Sequence, residues 1–173
     1  MKHVTKWGVV AAIGLAAIGL AGCGTTPIDA SQFMQVHSSS KTVDLKVIGE
    51  YSSSQQVNTF NGFTNGKMVV TIPVGYHVNM NFQNKGPIPE AVGIYRHNHL
   101  AFAHAGMSYR NVMISPNAGL LPGQSQSFRF TANQVGTYKL ANVLNGNPNG
   151  TPTSGQWDIV RVVPSGKPGL SSK

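Results

Sequence analysis

Residues 95–113, YRHNHLAFAHAGMSYRNVM, hold the densest set of metal-capable side chains in the sequence: His97, His99, His104, Met107 and Met113. In an extended segment His97 and His99 share one face, and two imidazoles at that spacing can share a cation. His104 and Met107 add an imidazole and a thioether across Ala105-Gly106. The mixed set suits copper, because a thioether favours Cu(I) and imidazole accepts either oxidation state. The spacing matches no defined motif. The competing reading is a polar excursion between strands, with solvated histidines and Met residues packed on the core. In acid the imidazoles would be protonated and would compete poorly for metal. His77, at a strand start in VGYHVN, reads as a surface residue, and His37 lies in a polar segment.

Catalytic chemistry has little to stand on. Cys23 is the only cysteine, so no second thiol is present to pair with it in a disulfide. Asp44, Glu50, Glu90 and Asp158 are widely separated along the chain, and no Gly-x-Ser-x-Gly elbow or phosphate-binding glycine loop occurs. The expectation is a protein that is not an enzyme.

The first residues read as targeting sequence rather than as structure. MKHVTKWGVVAAIGLAAIGLAGC has a basic start, an apolar run from Trp7 to Leu20, and small residues before the cysteine. LAGC at 20–23 looks like a bacterial lipobox, with cleavage before Cys23 and a diacylglyceride on its thiol; the alternative is an ordinary secretory signal. Residues 1–22 are therefore expected to be a lipoprotein signal peptide, and 23–40 a lipidated Cys with a flexible, Ser-rich tether. That places the domain outside the cytoplasm, anchored to a bacterial envelope membrane.

Without the signal, eleven basic residues face five acidic ones, for a net charge near +6. The cations are scattered and no basic run carries interleaved aromatics, so nucleic acid is not an expected partner. The five carboxylates are Asp29, Asp44, Glu50, Glu90 and Asp158. A fold with so few has few ion pairs to lose when pH falls, which points to an acidic exterior.

From Lys41 the pattern becomes one of short β segments divided by Gly, Asn and Pro. KTVDLKVIGEY alternates Val43, Leu45 and Val47 against Asp44 and Lys46. GKMVVTIP and HVNMNFQN follow, joined by a turn at 73–75, then AVGIY, QSFRFTA, TYKLANV and WDIVRVV. No segment after the signal sustains a helical period. The spacing predicts an antiparallel β-sandwich over 41–164, with 165–173 as a flexible tail.

Several motifs in common order carry a family resemblance. GKMVVTIPVGYHVNMNFQNKGPIPEAVGIY, GLLPGQSQSFRFTANQVGTYKLANV and SGQWDIVRVV together resemble the cupredoxin domain of sulfocyanins, membrane-attached blue-copper electron carriers. The resemblance covers about 41–163 and implies a cupredoxin-like Greek-key sandwich. It also implies where copper ligands would stand. The first His position falls on Glu90, the Cys position on Asn142 after GTYKLA, the second His position on Asn147, and the Met position on Gln156 before Trp157-Asp158. A type 1 site depends on a thiolate, two imidazoles and a weak axial donor, and only Gln156 suits one of those roles.

The resemblance therefore implies the fold while the residues contradict a blue site at the usual place, and no cofactor is expected there. The loop NVLNGNPNGTPTSGQ is read as a hydrogen-bonded plug of Asn and Gln side chains. The sharper alternative, a hard cation on Glu90 and the amide oxygens, lacks the second carboxylate that such sites usually recruit. Three functions compete: a binding or structural module beside envelope or respiratory proteins, a copper carrier using His97, His99, His104 and Met107, and electron transfer through a non-thiolate copper centre.

Overall fold

The computed structural model describes residues 29–115, 119–144 and 155–173. Cys23, the signal peptide and Asn147 lie outside the described residues.

In chain order the strands are β1 (Met34–His37), β2 (Thr42–Ser52), β3 (Val57–Phe60), β4 (Met68–Pro73), β5 (His77–Asn84), β6 (Val92–Arg96) and β7 (His99–Leu100). A short helix, α1 (Tyr109–Ile114), precedes β8 (Ser125–Thr131), β9 (Gly136–Asn142), β10 (Trp157–Val163) and β11 (Gly169–Ser172). One sheet has the order β1-β2-β5-β8, with β3 also on β2; the other runs β11-β4-β10-β9-β6-β7. The result is the expected cupredoxin-like β-sandwich.

Period-two alternation explains which face each strand buries. In β5, Val78, Met80 and Phe82 are fully buried while His77, Asn79, Asn81 and Gln83 turn outward. β2 does the same with Val43, Leu45 and Val47. Between the sheets Phe102 stacks on Phe130, with ring centroids 5.4 Å apart, and meets Tyr138 edge-on at 4.9 Å. Each such ring, fully buried, contributes about 2 kcal/mol of hydrophobic stabilisation.

Three features depart from the sequence reading. The sheets are mixed: β2 pairs β5 in parallel, and β4 pairs β10 in parallel, within otherwise antiparallel neighbours. The turn at Val74-Gly75, with Gly75 at φ 87°, passes the chain from one sheet to the other instead of closing a hairpin. And the fold is wider than 41–164. Residues 29–40, expected within the tether, include a 3₁₀ turn at Ala30–Gln32 capped by Asp29 and the edge strand β1, whose Met34 is buried. Residues 169–172, expected in the tail, form β11 on β4. Both pieces lack a sequence signal because an edge strand needs to bury only one or two side chains.

Candidate functional site

Glu90 stands just before β6, Asn142 ends β9, and Gln156 immediately precedes β10. Folding brings the three together between the sheets, each with no solvent exposure. Gln156 Nε2 donates to Glu90 Oε1 at 2.7 Å and to the Thr59 carbonyl at 3.2 Å. Asn142 Nδ2 donates to Gln156 Oε1 at 2.8 Å. Asn142 Oδ1 in turn accepts the backbone N–H groups of Ala91 and Leu144, each at 3.1 Å. The amides thus form a directed chain that ends on the carboxyl.

Local sequence sets the position of that carboxyl. The loop leading to Glu90 is held by Asn84, whose Nδ2 donates to the carbonyls of Ile88 and Leu120 and whose Oδ1 accepts from Gly86 N–H, all at 2.8 Å. Glu90 itself exchanges backbone hydrogen bonds with Leu120 at 3.0 and 2.8 Å. Its Oε2 lies against the inward face of β2 at Gly49, where a Cβ would overlap it. At Gly86 a Cβ would come within 3.1 Å of Oε1. Glycine at both places opens the space that the carboxyl fills.

Among the described residues Glu90 Oε2 has no hydrogen-bond partner. Burial pushes the Glu90 pKa up to about 7; the Gln156 hydrogen bond offsets part of this, and the charge of Glu50 adds to it. A carboxyl in that position holds its proton in acid, because dry surroundings disfavour the charged form.

A second acid occupies the same interior. Asp158 is fully buried, accepts Met68 N–H on Oδ1 at 2.8 Å, and leaves Oδ2 without a partner among the described residues. Burial raises its pKa to about 8, against the pull of the Met68 hydrogen bond. In the sequence Asp158 stands out only as one of five scattered carboxylates and as the partner of Trp157 in a motif. The signal for its burial is the alternation of β10, in which Asp158, Val160 and Val162 share the inward face.

The His and Met residues are placed differently. His97 occupies the turn of the β6–β7 hairpin at φ 55°, His99 pairs with Arg96, and His104 sits at φ 63°; all three side chains are exposed. Met107 is half-buried against the core, and its carbonyl accepts the Tyr95 hydroxyl at 2.5 Å. Among the described residues no group of three or more His, Cys, Asp or Glu side chains is arranged to hold a metal ion. His77 is on the surface, in contact with Thr131 Oγ1 at 3.0 Å. His37 bridges to Asp44 at 2.9 Å and so ties β1 to β2.

Comparison with known structures recovers the same architecture in copper enzymes. A multi-copper oxidase from Pseudomonas thermotolerans aligns over 70% of this chain and 29% of its own, at 15% identity and a TM-score of 0.52. The blue copper oxidase of Nitrosomonas europaea aligns over 72% and 39%, at 19% identity and 0.51. A laccase from Pediococcus acidilactici aligns over 81% and 30%, at 13% identity and 0.54. The chain spans well under half the length of these enzymes, and at such identities the likeness establishes the fold alone. No curated protein matches the sequence. The sulfocyanin (SoxE) domain model, however, matches residues 29–166, most of the chain, from Asp29 through β10 and including the edge strand β1. The chain belongs to the sulfocyanin domain family.

Proposed function

We propose that this protein is a lipid-anchored, extracytoplasmic cupredoxin-like module in which a buried carboxyl–amide chain takes the place of a type 1 copper centre. The observation that carries the reading is the hydrogen-bonded run from Asn142 through Gln156 to Glu90. Three of the four positions that the family resemblance assigns to copper ligands meet in space, and they offer one carboxyl and two amides, with neither thiolate nor imidazole. That donor set does not fit a blue copper ion. Nor does it fit a hard cation: Gln156 Oε1 and Asn142 Oδ1 already accept hydrogen bonds, and a single carboxylate is left.

The hydrogen-bonded run instead links β9, β10 and the segment before β6 and, through Gln156 Nε2 and the Thr59 carbonyl of β3, reaches the other sheet, holding one end of the sandwich closed. On this reading the protein is a binding or structural component of the envelope, beside respiratory proteins, and has no redox step of its own. The test is metal analysis of the protein as purified, followed by titration with Cu(I) and Cu(II) under visible and EPR spectroscopy. The expected result is a colourless protein without a copper EPR signal. An intense visible band would overturn the reading. Stoichiometric, colourless copper binding that His97→Ala/His99→Ala abolishes would favour a carrier.

A further inference from the structure

The outer face of the β1-β2-β5-β8 sheet carries a trough of about 540 Å³, on the far side of the sheet from the carboxyl–amide chain. Strand register defines its floor. One row runs Asp44, Asn79, Arg129 and the next Lys46, Asn81, Ser127, across β2, β5 and β8. Rows and strands place these side chains on a mesh of about 5 by 7 Å. Phe33, half-buried, lines the same trough from the segment that leads into β1.

The lining narrows what can bind there. The lining mixes amide, hydroxyl and carboxylate groups, donors and acceptors together, with apolar surface of about equal extent. Protein interfaces have an apolar core, and pockets for drug-like ligands are lined mainly by apolar and aromatic groups. Nucleic acid calls for clustered cations with stacking aromatics, whereas this face has two cations and one ring. Asp44 is already engaged, accepting from Asn79 Nδ2 at 2.7 Å and bridging to His37. Lys46 and Arg129 are both exposed, and neither joins an ion pair among the described residues. They stand two strands and one row apart, roughly 12 Å, and with Asp44 the one carboxylate of the lining they leave the floor net positive.

The geometry points to a carbohydrate-binding face for an anionic glycan: sugar hydroxyls on Asn79, Asn81 and Gln83, a ring face against Phe33, and a uronic-acid carboxylate reaching Arg129 or Lys46. The inference does not depend on the reading of the buried cluster.

The full-length protein in detergent micelles, titrated with trigalacturonate by calorimetry, tests it. Saturable binding is expected, with hydrogen exchange slowed in β2, β5 and β8. Asn81→Ala and Arg129→Ala should each weaken it by about tenfold. Arg161→Ala, an exposed cation of β10 on the other sheet, should leave it unchanged. Absence of saturable binding, an equal response to polyglutamate, an equal loss in Arg161→Ala, or protection confined to other strands would each overturn the proposal. If either trough variant fails to fold, the wild-type exchange map and the polyglutamate comparison still decide.

Discussion

Replacing Glu90 by Gln should make the protein more stable at neutral pH and leave it nearly unchanged in acid. The carboxyl is fully buried with one oxygen unpartnered, and its pKa rises from 4.5 to about 7. Below 4.5 the group is protonated in folded and unfolded chains alike, so it adds no pH dependence. As pH rises past 4.5 the unfolded chain releases the proton while the folded one keeps it, and folding loses stability until the folded pKa is passed. At about 1.4 kcal/mol per unit, the full loss is roughly 3 kcal/mol. The amide that Glu90→Gln introduces keeps an acceptor for Gln156 Nε2 and cannot ionise. Urea unfolding, followed by tryptophan fluorescence, should therefore give curves that nearly coincide at about pH 4 and separate by about 1–2 M in midpoint at about pH 8, for an ordinary denaturant slope. A wild-type-to-variant difference that stays flat across this range would refute the buried-acid reasoning.

Asp158→Asn should behave in the same way with a later onset of full effect. Wild-type folding keeps losing stability up to the Asp158 pKa of about 8, and the amide oxygen of the variant can still accept the Met68 N–H; proton uptake on folding, measured by potentiometry, should fall in the variant. Gly49→Ala drives a methyl into Glu90 Oε2 and should cost about 1–3 kcal/mol in thermal unfolding. In a double-mutant cycle with Glu90→Ala most of that cost should vanish; additive losses would mean that the clash is not the cause. Gln156→Leu strands Asn142 Nδ2, Glu90 Oε1 and the Thr59 carbonyl, and should lower stability by about 2–5 kcal/mol at about pH 5. A loss under about 1 kcal/mol would show that the amide chain does not hold the sandwich end. His37→Ala removes an exposed pair and should cost under about 1 kcal/mol, as read from the same unfolding curves.

How much of this could be read in advance depended on periodicity. β2, β5, β8, β9 and β10 each set two or more apolar residues on one face, and the alternation is visible in the letters. β1 buries only Met34, and β11 is GLSS, so neither rises above the polarity of its surroundings. Parallel pairing of β2 with β5 is not written in either strand, because the same inward face serves both directions. At the site, Trp157-Asp158 anchored the position of Gln156, and the structure joins it to Glu90 and Asn142. The burial of Glu90 depends on Gly49, some forty residues earlier, and no local pattern connects the two. The histidines are close in sequence but take different places in the fold: His97 and His104 stand at positive φ, His99 lies in β7, and all three are exposed.

The two buried acids and the exposed ones give opposite pH dependences, and together they define a working window. Asp44 is held below the usual carboxylate range first by the Asn79 hydrogen bond and then by His37. Asp29 is lowered by the Ser31 and Gln32 side chains. The contributions of these two are present above an unfolded pKa of 3.8 and fade as pH falls below it, and solvent keeps them small. Glu90 and Asp158 act the other way: their neutral forms favour the fold, and their cost grows from the unfolded values, 4.5 and 3.8, toward about 7 and 8. Stability should therefore peak in mild acid, near pH 4, and decline toward pH 8. A chain with few carboxylates on its surface and two neutral ones inside should thus hold its fold best in acidic surroundings. Calorimetric Tm measured across this range decides the matter: a maximum near neutrality would mean that the interior carboxyls find partners beyond those described, and the case for an acidic exterior would go with it.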